Sequence, residues 1–370
     1  MSKLTVIRLV FIWGIIAMIT SCSKDYAYKI EGVISNLEEP TIYVVFERED
    51  YKVVDTVVCD KPGHFLVKQK EAGFNSATIF YNNRQHWVTA YLEPNLSVEI
   101  EGDANSPLLM KVKGGRTNNK LTDFRTHNSE LLAELTQLTN SLRSKDENST
   151  IEQTDMTARL ADVNMRLSEE AIRYVKENPD QESSVILIRT FFSDPDDTRK
   201  IDELLALLDP KLKSFYLVAE LEHYSARVKR TSLGAEAPEF SLRNIYGQPV
   251  SLDSFPGKYL LLAFTAPWCD MCHTEDLYLD QVAETYSKES LDILLISLDD
   301  NPSNVRKLLS KEKIAWNLVT DSAGQGAMMI DLYNVNVLPR CFLIDDDHKI
   351  LMKTDNGVEV KQTLESLFEE

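Results

Sequence analysis

The sequence predicts a multidomain chain in three parts: a small β-sandwich at the N-terminus, an α-helical middle region and a C-terminal α/β domain. Three observations carry this. The chain has 370 residues, 43% of them hydrophobic, which is enough for more than one core. Its texture changes from short alternating apolar segments to long segments with apolar residues three and four apart, and then to strands alternating with helices. The changes fall near residues 115 and 231, so the expected organisation is a signal peptide at 1–21, the β-sandwich leader domain at 22–115, the helical region at 116–231 and the α/β domain at 232–370.

Lys3 and Arg8 precede an apolar run over residues 9–19, the layout of a secretory signal peptide. Ile19-Thr-Ser-Cys22 then resembles the lipobox of bacterial lipoproteins, which implies lipidation of Cys22 and attachment to a membrane through that anchor. An uncleaved membrane anchor over residues 4–20 is the alternative. Either way the rest of the chain faces an oxidising exterior, and the expected location is the cell envelope, facing the periplasm.

Five cysteines occur, Cys22, Cys59, Cys269, Cys272 and Cys341, and a single pair is close in sequence, so this is not a disulfide-stapled scaffold. The net charge is −18, and from Thr231 onward 11 Lys and Arg face 23 Asp and Glu. Such a surface repels phosphate backbones, which excludes nucleic acid as a partner.

In the first part, residues 28–34, 41–46, 52–58, 64–67, 78–81, 87–91 and 97–100 read as strands, with Cys59 to Gly63 as a hairpin turn. In the second, Leu131, Leu135, Leu138 and Leu142 make one helical stripe, and Leu160, Val163 and Leu167 make another that extends toward Val175. Residues 184–192, 201–208 and 212–228 supply further helices, with a polar connection over 144–154. These stripes read as packing surfaces inside the chain. The third part opens with a hairpin around Asn244-Ile-Tyr-Gly247. It continues with a strand at 259–264, a helix beginning at Cys269, an apolar strand at 293–298 and a helix around 305–309. A strand at 316–319, a helix at 325–333, strands after Pro339 and at 350–353 and a terminal helix complete it.

The chemistry is expected at Trp268-Cys-Asp-Met-Cys272, where a buried strand runs into two cysteines spaced C-x-x-C at a helix start. Cysteines three apart on a first helical turn can close a disulfide without moving the backbone, and the unpaired N–H groups there favour a thiolate. Half of a zinc site would need two further ligands, and no second close Cys or His pair is present. No metal and no cofactor are expected.

The order of elements, with Ala237-Pro-Glu-Phe240, Gly257-Lys258, Trp268 to Cys272, Glu275, Tyr333 to Pro339 and Phe342-Leu-Ile-Asp345, resembles the TlpA/ResA-like thiol-disulfide oxidoreductases. These are thioredoxin-fold proteins of the bacterial envelope related to the AhpC/TSA proteins, and the likeness covers about residues 232–370. The first two parts resemble the uncharacterised leader domain found before such modules in lipoproteins. The resemblance implies an enzyme whose partners are protein thiols and disulfides, together with an upstream redox partner. It implies Cys269 as nucleophile, Cys272 as resolving thiol and Glu275 as the acid handling the Cys272 proton. Pro339 is implied as a cis-proline facing the pair, with Leu338 and Trp268 lining the partner groove. Met271 replaces the proline common at that position, which leaves the redox potential open, as is the direction of electron flow. Cys341 reads as an inert core thiol.

Two other readings stand beside this one. A thiol peroxidase of the peroxiredoxin class would carry Pro seven and Thr three residues before its cysteine. Those positions hold Thr265 and Cys269 before Cys272, and Leu262 and Ala266 before Cys269. A non-enzymatic partner-binding lipoprotein would have no need of both thiols.

Overall fold

The computed structural model describes residues 26–368 apart from 50, 144–149, 256, 273–280, 283, 288, 302 and 305–316. It divides into two compact units, residues 1–146 and 147–370.

In the first unit, alternation of apolar and polar residues sets one face of each strand inward. Along β2 (Thr41–Arg48), Ile42, Val44 and Phe46 are buried and their neighbours are not. This strand lies in a sheet ordered β3-β2-β5-β6, with β3 (Tyr51–Val58), β5 (Ser76–Tyr81) and β6 (His86–Tyr91). A second sheet, β4-β1-β7-β8, contains β1 (Tyr28–Ser35), β4 (His64–Gln69), β7 (Ser97–Asp103) and β8 (Lys111–Lys113). Ile30, Val67, Val98 and Ile100 of the second sheet join Ile42, Val44, Phe46 and Val88 of the first in one core.

Seven of these strands match the expected ones, and β8 is additional. The turn at residues 59–63 does not make a hairpin, because β3 pairs with β2 and β4 pairs with β1. It carries the chain from one sheet to the other. Gly63 permits this with φ +75° and by its lack of a Cβ, which would lie 1.9 Å from the Ile34 carbonyl oxygen.

Helices α1 (Arg116–His127) and α2 (Ser129–Arg143) follow within this unit. Buried polar groups fix α1: Asn118 accepts from the Tyr91 N–H at 2.9 Å and donates to the Tyr91 and Gly114 carbonyls, both at 2.7 Å. Thr122 accepts from and donates to the backbone of Val112. In α2 the buried positions are Leu132 and Leu138, while Leu131, Leu135 and Leu142 of the expected stripe are only partly buried.

The second unit begins with α3 (Thr150–Glu177), on which Val163, Leu167, Ala171 and Val175 form a buried row at four-residue spacing. That row packs against α4 (Glu182–Phe192), whose residues 183–188 are all buried. After α5 (Arg199–Leu205), the helix expected over 212–228 is split. A 3-10 turn spans Pro210–Ser214, Phe215 is extended with ψ 121°, and α6 runs over Tyr216–Arg230. Pro210 at the start of the turn and the Asp209 carboxylate, which accepts from the Lys211 N–H, favour a separate short turn over one continuous helix.

The rest of the unit is a five-stranded sheet ordered β13-β12-β11-β14-β15, preceded by a short hairpin of β9 (Leu242–Arg243) and β10 (Pro249–Val250). The central strand β11 (Tyr259–Thr265) runs parallel to β12 (Leu291–Ser297), which is parallel to β13 (Asn317–Val319). Strand β14 (Arg340–Asp345) runs antiparallel to β11, with β15 (Ile350–Thr354) outside it. Both faces are covered, so β11 reads as an unbroken apolar run. Leu260, Leu262 and Phe264 face Phe240, Met329 and Tyr333, with Met329 on α7 (Gln325–Leu332). Tyr259, Leu261 and Ala263 face Val282 and the terminal helix α8 (Gly357–Phe368) through Val360 and Leu364. The helix expected at 305–309 lies outside the described residues, as do the expected signal peptide and residues 144–149 of the polar connection expected over 144–154; its residues 150–154 instead begin α3.

Candidate active site

At the end of β11, Thr265 hands the chain to Ala266 and Pro267. The Cys269 N–H then donates to the Ala266 carbonyl at 3.1 Å, the Cys272 N–H to the Cys269 carbonyl at 3.0 Å, and residues 270–272 are helical. A central strand therefore delivers both cysteines to one end of the sheet, on the first turn of a helix. They form a disulfide with a Cα–Cα distance of 5.3 Å and a dihedral of 80°. Cys269 is 9% exposed and Cys272 0%, so the first cysteine is the more accessible of the two. The Cys272 N–H also lies 3.2 Å from the Cys269 sulfur, where its partial positive charge favours a thiolate once the bond is opened.

Trp268 and Met271, close to Cys269 in the sequence, are 68% and 67% exposed, two large apolar side chains left open to solvent at the motif. Beneath, Ala266, Cys269 and Cys272 pack with Leu298 and Leu338. The Leu338–Pro339 peptide bond is cis, and β14 begins one residue later with Arg340 opposite Phe264. Trp268, Cys269, Cys272, Leu338 and Pro339 are thus gathered at the C-terminal end of β11. Glu275 and Cys22 lie outside the described residues. Cys341 is buried opposite Ala263, in the core formed with Val360 and Leu364. Cys59 is buried in the first unit, where burial and the neighbouring Asp60 push its thiol pKa up and keep it protonated.

Three residues at this end of the sheet have a place that the sequence reading does not give. Leu298 directly follows β12, and its N–H donates to the Thr265 carbonyl at 3.0 Å. The Thr265 hydroxyl is buried and has no hydrogen-bond partner among the described residues. Arg340 is 4% exposed. Its signal in the sequence is a charge between Pro339 and the apolar residues 341–344. Among the described residues, no group of three or more His, Cys, Asp and Glu side chains could hold a metal ion, and no helix is long and apolar enough to cross a membrane.

The AhpC/TSA family model matches residues 233–353, and a domain of unknown function (DUF4369) matches residues 28–121. The chain is 28% identical over 142 residues to the thiol-disulfide oxidoreductase ResA of Bacillus cereus, an alignment covering 38% of this chain and 80% of that protein. It is 30% identical over 139 residues to ResA of Geobacillus thermodenitrificans, covering 37% of this chain and 78% of that protein. Among solved structures, a thiol-disulfide oxidoreductase from Bacteroides fragilis is similar at 30% identity and a TM-score of 0.32, over 36% of this chain and 98% of that one.

Proposed function

This chain belongs to the ResA-like thiol-disulfide oxidoreductases, and we propose that it exchanges its Cys269/Cys272 couple with protein partners through a mixed disulfide. The observation that supports this reading is the difference in access between the two residues of one disulfide, Cys269 at 9% exposure and Cys272 at 0%.

From the reduced pair, the Cys269 thiolate attacks one sulfur of a client disulfide. An S–S bond forms between Cys269 and the client, and the client's own S–S bond breaks, releasing a client thiolate. Cys272 then loses its proton and attacks the Cys269 sulfur. The mixed disulfide breaks, the Cys269–Cys272 bond forms, and the client leaves as a second thiolate. Two electrons pass from the pair to the client, whose thiolates take up protons from the Cys272 thiol and from water. An upstream dithiol must return the two electrons for another cycle. Run backwards, the same steps oxidise a client dithiol.

In this reading Leu338 and Pro339 present backbone to an extended client segment, Trp268 lines the groove, and Glu275 receives the Cys272 proton. Residues 1–21 act as a signal peptide, and lipidated Cys22 holds the chain to a membrane of the cell envelope, facing the periplasm. The β-sandwich leader at 22–115 and the helical region at 116–231 precede the redox domain at 232–370.

The test is alkylation of the reduced protein by iodoacetamide across pH. A single fast-reacting thiol, lost in Cys269→Ser and titrating below the ordinary cysteine value near 8.5, is expected. Equal reactivity of Cys269 and Cys272 would overturn the assignment of roles. Equilibration with glutathione buffers gives the potential, and with it the direction of flow.

A further inference from the structure

Two buried cations stand directly behind the segment at 338–339. Arg340 starts β14, and Lys353 on β15 pairs with Phe342, two residues further along. Arg340 and Lys353 therefore lie on the same face of the sheet, each with a side chain 5% exposed. Buried cations need a counter-charge, since removing one partner leaves an uncompensated charge out of water.

The counter-charge comes from the segment joining α4 to α5, in the helical region. The Lys353 ammonium donates to the Asp196 carboxylate at 2.7 Å and to the Pro195 carbonyl at 3.0 Å. The same Asp196 oxygen, Oδ1, lies 3.7 Å from an Arg340 guanidinium nitrogen. Asp196 is itself held, because its N–H donates to the Asp194 carboxylate at 2.8 Å and the Asp197 N–H does so at 3.1 Å. The Arg340 Nε is buried and has no hydrogen-bond partner among the described residues. Among the described residues, the ion pair to Asp196 supplies the counter-charge of that guanidinium.

We infer that Asp196 is a positioning residue for the redox site: by pairing with Arg340 and Lys353 it fixes the start of β14, and so the place of Leu338 and Pro339 against the cysteines. The helical region is then a working part of the redox unit, although Asp196 lies 73 residues before Cys269 in the sequence. This rests on the reading that clients dock along residues 338–339. Asp196 does not touch the sulfurs, so it acts on how a client is held and leaves the chemistry of the couple alone.

The experiment compares the full chain with Asp196→Ala, Asp196→Asn and Asp196→Glu, using insulin as a protein disulfide and glutathione disulfide as a small one. Asp196 is 53% exposed in its side chain, so these variants are expected to fold, and a melting curve checks it. Asp196→Ala and Asp196→Asn should raise the KM for insulin by about tenfold, the scale of a sub-ångström misplacement at a docking site. The rate with glutathione disulfide and the Cys269/Cys272 potential should not move, and Asp196→Glu should restore most of the loss. An insulin KM indifferent to Asp196→Ala, or an equal loss with glutathione disulfide, would overturn the inference while leaving the couple's role intact. Insulin turnover that survives Cys269→Ser would remove the reading of the site and this inference with it.

Discussion

Replacing Tyr333 with phenylalanine isolates a single buried hydrogen bond that ties the start of the redox domain to its core. Tyr333 follows α7, is 0% exposed, and packs its ring against Phe264 and Phe342 at centroid distances of 6.1 and 5.2 Å. Its hydroxyl donates to the buried Pro238 carbonyl at 2.8 Å, joining positions 95 residues apart. Tyr333→Phe keeps every ring contact and leaves that carbonyl without its donor, which costs about 1–3 kcal/mol. Tyr333→Ala also opens a cavity and should cost about 3–5 kcal/mol.

In urea the phenylalanine variant's midpoint should fall by about 0.5–1.5 M, taking a denaturant slope of ~2 kcal/mol/M. The pH dependence carries a sign of its own. Burial, and secondarily Glu239, push the Tyr333 phenol pKa well above its ordinary value. The folded state therefore keeps a proton that the unfolded chain gives up, so this contribution is complete below about pH 10 and is lost as pH rises further. The gap between wild type and Tyr333→Phe should accordingly shrink in alkali. A variant within ~0.3 kcal/mol of wild type, with an unchanged alkaline limb, would refute the argument, because a bond worth so little could not be organising the site.

Leu167 is fully buried in the α3 row that packs on α4, and Leu167→Ala should destabilise the second unit by about 2–5 kcal/mol, read as a lower melting temperature. Asp202 gives an acid-side effect. Burial raises its carboxyl pKa, but hydrogen bonds from Lys229 and Ser225 outweigh that and hold it below the ordinary value of 3.8. Its stabilising effect is present above that value and is lost as pH falls through the depressed folded-state pKa. Asp202→Asn should therefore lower stability near neutrality, and its gap from wild type should close as the pH falls, which flattens the acid limb of a stability profile.

What the sequence discloses depends on whether a residue's partner is local. Ile42, Val44 and Phe46 disclose a strand because their alternation is itself the signal, and Val163, Leu167 and Val175 disclose a helix for the same reason. Strand β8 has one buried residue, Val112, between two exposed lysines, so no period can be read. Its place is set by β7 and by Thr122. The turn at 59–63 looks like a hairpin because its turn residues are local, whereas the choice of sheet is made by pairing with β2 and β1. At the site, Cys269 and Cys272 are a local motif and Pro339 stands out by its chemistry. Leu298, Arg340 and Asp196 enter through contacts across the fold, which spacing cannot reveal.

The central claim is that Cys269 attacks and Cys272 resolves. The most direct measurement is trapping of the mixed disulfide: Cys272→Ser, reduced and mixed with a disulfide-bonded client protein, is resolved on a non-reducing gel and the adduct is mapped by mass spectrometry. The account predicts a stable adduct on Cys269, absent from the Cys269→Ser/Cys272→Ser double variant and far weaker with Cys269→Ser alone. An adduct that forms equally well on Cys272 when Cys269 is serine, or no adduct with either single variant, would contradict it.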